Sequence, residues 1–126
     1  MFKLSERSMN RLEGIHEDLV RVVRAAIQIS TVDFFVIEGL RTVERQKELF
    51  AGGASKTMNS RHITGHAVDL GAIVSGKVTW HPAVYHKIAD AMFQAGANEN
   101  VPLTWGGNWL SFPDLVHFEL NRNFYK

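Results

Sequence analysis

The chain contains no cysteine. That excludes disulfides, iron–sulfur clusters, thiolate zinc sites and a thiol nucleophile, and it leaves the redox compartment open. Long hydrophobic runs are missing too, and nothing approaches the length of a membrane span. The start, Met1-Phe2-Lys3-Leu4-Ser5-Glu6-Arg7, has no apolar stretch after a basic one, so no signal peptide is expected. Charge is nearly balanced: Lys+Arg 14 against Asp+Glu 13 gives +1 with the six histidines neutral. Without a run of like charges, this balance argues against a nucleic-acid-binding surface. Repeats, low-complexity segments and linkers are absent. What remains is 126 residues, 45% hydrophobic. That suits one domain burying about two-thirds of its unfolded surface. The expectation is a soluble globular domain, made in the cytoplasm.

Helical periodicity comes first, with Leu19, Val22, Val23, Ala26 and Ile27 on one face. Phe34-Phe35-Val36-Ile37, ending at Gly39, reads as a buried strand. Thr42 can cap a helix running to Phe50 and stopped by Gly52-Gly53, and residues 52–61 are loop by composition. Ala67 to Ile73 reads as a strand turning at Ser75-Gly76 into Lys77-Val78-Thr79. Pro82 opens a helix whose stripe includes Val84, Ile88, Ala91 and Met92. Two further strands, Leu103–Trp105 and Val116–Leu120, flank a Gly- and Trp-rich loop. The predicted class is α+β, a small antiparallel sheet of mostly hairpin-linked strands with flanking helices.

The informative segment is Ser60-Arg61-His62-Ile63-Thr64-Gly65-His66-Ala67-Val68-Asp69. Without sulfur, a transition-metal site must use imidazole and carboxylate, and three such ligands plus water make a catalytic zinc site. His62 ends a loop, Asp69 lies inside a strand, and His117 falls in the middle of the last strand. If those two strands are neighbours, all three residues can reach one side of the sheet. A helical His62/His66 pair is rejected: Ile63 is β-branched, Gly65 breaks helix, and no Glu follows His62. His66 is expected to be exposed or to support the ligands from behind.

With its downstream His117 and the acid three residues before it, the pattern Ser-x-His-x-x-Gly-x-Ala-x-Asp resembles the zinc D-Ala-D-Ala carboxypeptidase group, the VanY-like metallopeptidases. Within that group it is most similar to phage L-alanyl-D-glutamate endopeptidases. The resemblance spans nearly the whole chain, taking in Asp33-Phe34, Glu38-Gly39-Leu40-Arg41-Thr42, Trp105-Gly106-Gly107-Asn108-Trp109 and Asp114-Leu115-Val116-His117. It implies a fold like those peptidases and hedgehog domains, with Zn2+ on His62, Asp69 and His117. It implies Asp114 as catalytic acid/base, Arg41 as stabiliser of the tetrahedral intermediate, and a supporting role for Ser60. Relatives often carry Asp where this chain has Asn108, so no role is carried over to that position.

Each residue also has a structural reading. His117 can be a satisfied core histidine, Asp69 a buried hydrogen-bonded acid, and Asp114 a turn residue after Pro113. Glu119, two beyond His117 on the same strand face, is the rival base. Arg41 can simply pair with Glu38 or Glu44. Trp105 and Trp109 either belong to the core or flank a substrate groove. His16, His81 and His86 are expected on solvated surfaces.

Amide hydrolysis needs an activated water, a proton relay and positive charge near the oxyanion, and these candidates supply all three. The resemblance implies a peptidoglycan peptidase cutting the L-Ala–D-Glu bond of the stem peptide, as a phage or prophage endolysin. It implies a monomer without stable membrane association, made in the host cytoplasm and reaching periplasmic murein through a pore made by another protein. The alternatives are a D,D-carboxypeptidase and a non-catalytic zinc- or peptide-binding module. Asp114 beside Arg41 favours an enzyme over a module. Between Gly65 and His117 the only cations are Lys77 and Lys87, and neither lies in a segment placed at the metal. A carboxypeptidase pocket for a terminal carboxylate is therefore not expected.

Overall fold

The computed structural model describes residues 1–126. Its first element, α1 (Glu6–Arg11), has no sequence counterpart in the reading above, because six mostly polar residues show no period. Ser5 caps it, accepting from the Ser8 amide. The Ser8 hydroxyl in turn accepts from the Val36 amide and ties the helix to the sheet. The periodic segment forms α2 (Glu17–Ile29), and all five of its expected apolar residues are buried. His16 is not the solvated residue expected: half-buried, it caps α2 by accepting from the Asp18 amide.

The strands are β1 (Asp33–Glu38), β2 (Ala67–Val74), β3 (Lys77–Thr79), β4 (Leu103–Trp105) and β5 (His117–Leu120). Two more helices complete the chain: α3 (Val43–Ala51), capped by Thr42, and α4 (Pro82–Glu99), capped by His81 with Pro82 in its first turn. The strand order is β1-β2-β5-β4, with β3 also paired to β2, and every pairing is antiparallel. The expected α+β architecture is therefore present. Hairpin linkage is rarer than expected. Only β2–β3 turns tightly, through Ser75 and Gly76, both left-handed (φ 52° and 76°), the conformation that matches strand twist. From β4 to β5 the chain makes a long excursion, Gly106 to Val116, and that excursion carries Trp109 and Asp114.

Alternation along the strands divides the sheet into two faces. Val68, Leu70 and Ala72 of β2 and Phe118 and Leu120 of β5 join one core cluster with Leu19, Val22 and Val23 of α2 and Tyr85, Ile88 and Met92 of α4. Burying each of the larger side chains contributes roughly 1.5–3 kcal/mol. Tyr85 also locks α4 to the sheet, since its hydroxyl accepts from the Ala72 amide and donates to the Thr79 carbonyl. Asp69, His117 and Glu119 are the intervening residues and point the other way. In register, Asp69 lies opposite Glu38 on one side and His117 on the other, so three polar residues cross three strands in a row.

Candidate active site

His117 is the first residue of β5, not its middle, and it faces Asp69 directly across the β2–β5 ladder. The His117 Nδ1 lies 3.2 Å from Asp69 Oδ1, and the His62 Nε2 lies 3.1 Å from the same oxygen. His62 comes from the loop before β2 and is almost fully buried. Ser60 fixes that loop, its hydroxyl accepting from the His62 amide, while the Arg41 amide donates to the His62 carbonyl. One possible ligand atom from each of His62, Asp69 and His117 falls within 4.8 Å of the others.

The outer nitrogens decide what this cluster can hold. His62 Nδ1 is 2.9 Å from the Gly39 carbonyl, which can only accept, so that nitrogen carries a hydrogen. His117 Nε2 is likewise 2.9 Å from the Glu119 carboxylate. In neutral rings the inner nitrogens then present lone pairs towards a carboxylate. Such a convergence requires a cation in the middle, either a proton or a metal ion. In the metal-free chain the proton serves. Burial pulls the His117 pKa down, but hydrogen bonds to Asp69 and Glu119 prevail and lift it to about 9. Burial pushes Asp69 up, yet its bonds to His117 and His62 hold it far below the usual carboxylate range. The donor set, two imidazoles and one carboxylate with ordered outer partners, fits zinc.

Glu119, the rival base, lies behind His117 rather than in front of the cluster. It is buried and depressed in pKa: burial raises it, but bonds to His117 and Arg122 outweigh that. Arg122 Nε donates to its Oε2 at 3.0 Å. Asp114 is placed quite differently. It is half-buried on the cavity wall, with its pKa raised by burial and by the nearby Asp69 charge. Gly106 makes that position possible. A Cβ there would stand 2.5 Å from the Asp114 carbonyl oxygen and 3.1 Å from the His117 Cβ. The close approach is sealed by the Asp114 amide donating to the Gly106 carbonyl at 2.9 Å.

Arg41 does pair with Glu38, as its structural reading allowed, and it also lines the cavity. Its Nη1 donates to Gln46 Oε1 at 2.7 Å, and the Gln46 amide donates in turn to Ser55 Oγ and the Thr57 carbonyl. Gln46 is fully buried. It ties α3, Arg41 and the 52–61 loop into one network, and no sequence signal marked it.

The two tryptophans separate. Trp109 lines the cavity, its ring centroid 5.2 Å from that of His117. Trp105 does not line it. It is buried, stacks on Phe118 and donates from Nε1 to the Leu115 carbonyl, so its reading as a groove residue is corrected to core. His66 is half-buried against Thr64 and His16. His81 and His86 are exposed, as expected.

The cavity holds about 600 Å³. Contrary to the expectation from residues 65–117, cations are not scarce here: Arg41, Lys56, Arg61 and Arg122 all line the cavity from outside that stretch. An adjoining pocket of about 400 Å³ shares Trp109, Glu119 and Arg122 with it, so the groove continues past the cluster.

The family model described as phage L-alanyl-D-glutamate peptidase matches residues 1–126. The chain belongs to that family. A curated relative from Escherichia phage T5, named L-alanyl-D-glutamate peptidase, is 31% identical over 98% of this chain and 93% of its own length. One of the same name from Listeria phage A118 is 32% identical, and this chain spans 43% of it. The crystal structure of the Serratia marcescens L-Ala D-Glu endopeptidase ChiX superposes with a TM-score of 0.93 at 43% identity, covering 98% of this chain and 93% of that one. The D,D-dipeptidase VanXYg, at 17% identity and a TM-score of 0.55 over 84% of this chain and 50% of its own, shares the fold.

Proposed function

We propose that this chain is a zinc peptidase that hydrolyses the L-Ala–D-Glu bond of peptidoglycan stem peptides, with zinc on His62, Asp69 and His117. The observation that supports it is the inward-facing donor set beside a raised-pKa Asp114 in one groove. A bound zinc ion supplies Lewis acidity, lowering the pKa of water towards about 7 and polarising a carbonyl. Asp114 accepts the proton of the attacking water and returns it to the leaving amine, a role suited to a carboxyl whose pKa is shifted towards neutrality. Arg41, held by Glu38 and Gln46, presents a permanent positive charge to the developing oxyanion. Trp109 offers a flat face to the extended peptide, and Ser60 orients His62 from behind.

The groove continuing past the cluster gives an endopeptidase room on both sides of the scissile bond. The enzyme acts as a monomer without stable membrane association. No helix is long and apolar enough to cross a membrane. Synthesis in the host cytoplasm and access to periplasmic murein after the membrane is permeabilised complete the proposed route. Mass spectrometry of purified murein after digestion tests the activity. New N-terminal D-Glu on released peptides is expected. Free D-Ala with intact L-Ala–D-Glu bonds would instead identify a D,D-carboxypeptidase, and no release at all would leave a binding module.

A further inference from the structure

We propose that Lys56 recognises the free carboxylate of the glutamate whose amine leaves, an inference that rests on the L-Ala–D-Glu reading above. The chemistry of the substrate sets the requirement. A glutamate joined onward through one carboxyl keeps the other ionised, and that charge enters the groove with the leaving group. The cavity must meet it with a cation that is not already neutralised.

Of the four Lys and Arg side chains in its lining, three sit against a carboxylate and Lys56 does not. Arg41 is held by Glu38 and is already assigned to the oxyanion. Arg61 and Arg122 both flank Glu119, at 3.8 and 3.0 Å. Lys56 has no carboxylate within ion-pair distance. Its Nζ instead lies 5.0 Å from the centre of the Phe112 ring, an attraction that orients the ammonium without cancelling its charge. The side chain is exposed, but its backbone is anchored on both sides. Gln46 bonds Ser55 Oγ and the Thr57 carbonyl, and the Ser55 amide donates to the Leu49 carbonyl.

Position agrees with charge. Phe112, held in the left-handed region at φ 54°, stands two residues before Asp114. Lys56 therefore reaches across from the 52–61 loop to the rim that carries the proton donor for the leaving amine. With the onward amide on the side-chain carboxyl, the amine and the free α-carboxylate share one carbon of the departing glutamate. A cation on that rim reads the carboxylate while Asp114 serves the nitrogen.

The test compares two acylated L-Ala peptides with the same onward amide, one containing D-Glu and the other its carboxamide analogue. The wild-type protein is expected to favour the acid at least about tenfold in kcat/KM, the factor that about 1.4 kcal/mol supplies. Lys56→Met should collapse that ratio towards one through a higher KM for the acid, with zinc content and Tm unaltered. Lys56→Arg should restore most of the discrimination, and Lys77→Met, on the distant hairpin, should leave it intact. Equal cleavage of both peptides by the wild type, or an unchanged ratio in Lys56→Met, overturns the role of Lys56 and leaves the peptidase reading standing. Cleavage of neither peptide overturns both.

Discussion

Asp69 and His117 face each other in register across β2 and β5, with Oδ1 and Nδ1 3.2 Å apart and the far ring nitrogen bound to Glu119. One ladder pairing thus sets two of the proposed ligands side by side, with Glu119 orienting one of them. Metal capture is the first consequence. The purified protein should hold one zinc per chain, and a chelator should abolish hydrolysis until zinc is restored. His117→Ala should lose stoichiometric zinc by metal analysis, because the two remaining donors cannot complete the site. Full occupancy in that variant would remove His117 from the set.

Asp114 and Glu119 should separate cleanly. Asp114→Asn should keep zinc and fold while turnover falls at least about 100-fold, the usual scale for a missing general base. Glu119→Gln should act through the metal, weakening its affinity by roughly 10- to 100-fold, so that added zinc recovers activity. Rescue of Asp114→Asn by zinc would reverse the two assignments.

Acidity should act oppositely on the metal-free and metal-loaded protein. His117 in the metal-free chain has a pKa raised from 6.5 to about 9. The stability it contributes is complete below pH 6.5 and is lost as pH rises through 9. Asp69 and Glu119 are depressed below 3.8 and 4.5, so their contributions are already complete across that window. The Tm of the metal-free protein should therefore fall between pH 7 and 9.5, and His117→Gln should flatten the curve. A zinc ion held by His62, Asp69 and His117 would take the place of that proton, so the loaded protein should instead lose metal and activity on the acid side.

Gln46→Leu tests the network behind Arg41. Removing a buried amide strands its partners at a cost of about 1–3 kcal/mol in stability. The kcat should fall further than the stability loss accounts for, because Arg41 loses its hydrogen bond to Gln46 and the 52–61 loop loses its tie to α3. Zinc content should not change. An unaltered kcat in the folded variant would show that Glu38 alone positions the guanidinium.

The sequence by itself determined every element but α1, and the donor types. The apolar period of α2, the Thr42 cap, Pro82 in the first turn of α4 and the Ser75-Gly76 turn are local matters, decided by residues within a few positions of each other. The absence of cysteine and the spacing of His62, Asp69 and His117 confined any metal chemistry to imidazole and carboxylate. Tertiary structure decided the rest. Trp105 and Trp109 are indistinguishable in sequence, yet strand pairing buries one and leaves the other over His117. Glu119 reads as a rival to Asp114 for the base until β5 turns it behind the ring it orients. Gln46 and Lys56 carry no local signal, because their partners are brought to them by loops that close only when the sheet forms. Hydrogen bonds and ion pairs act over a few ångströms, and only the folded chain sets those distances.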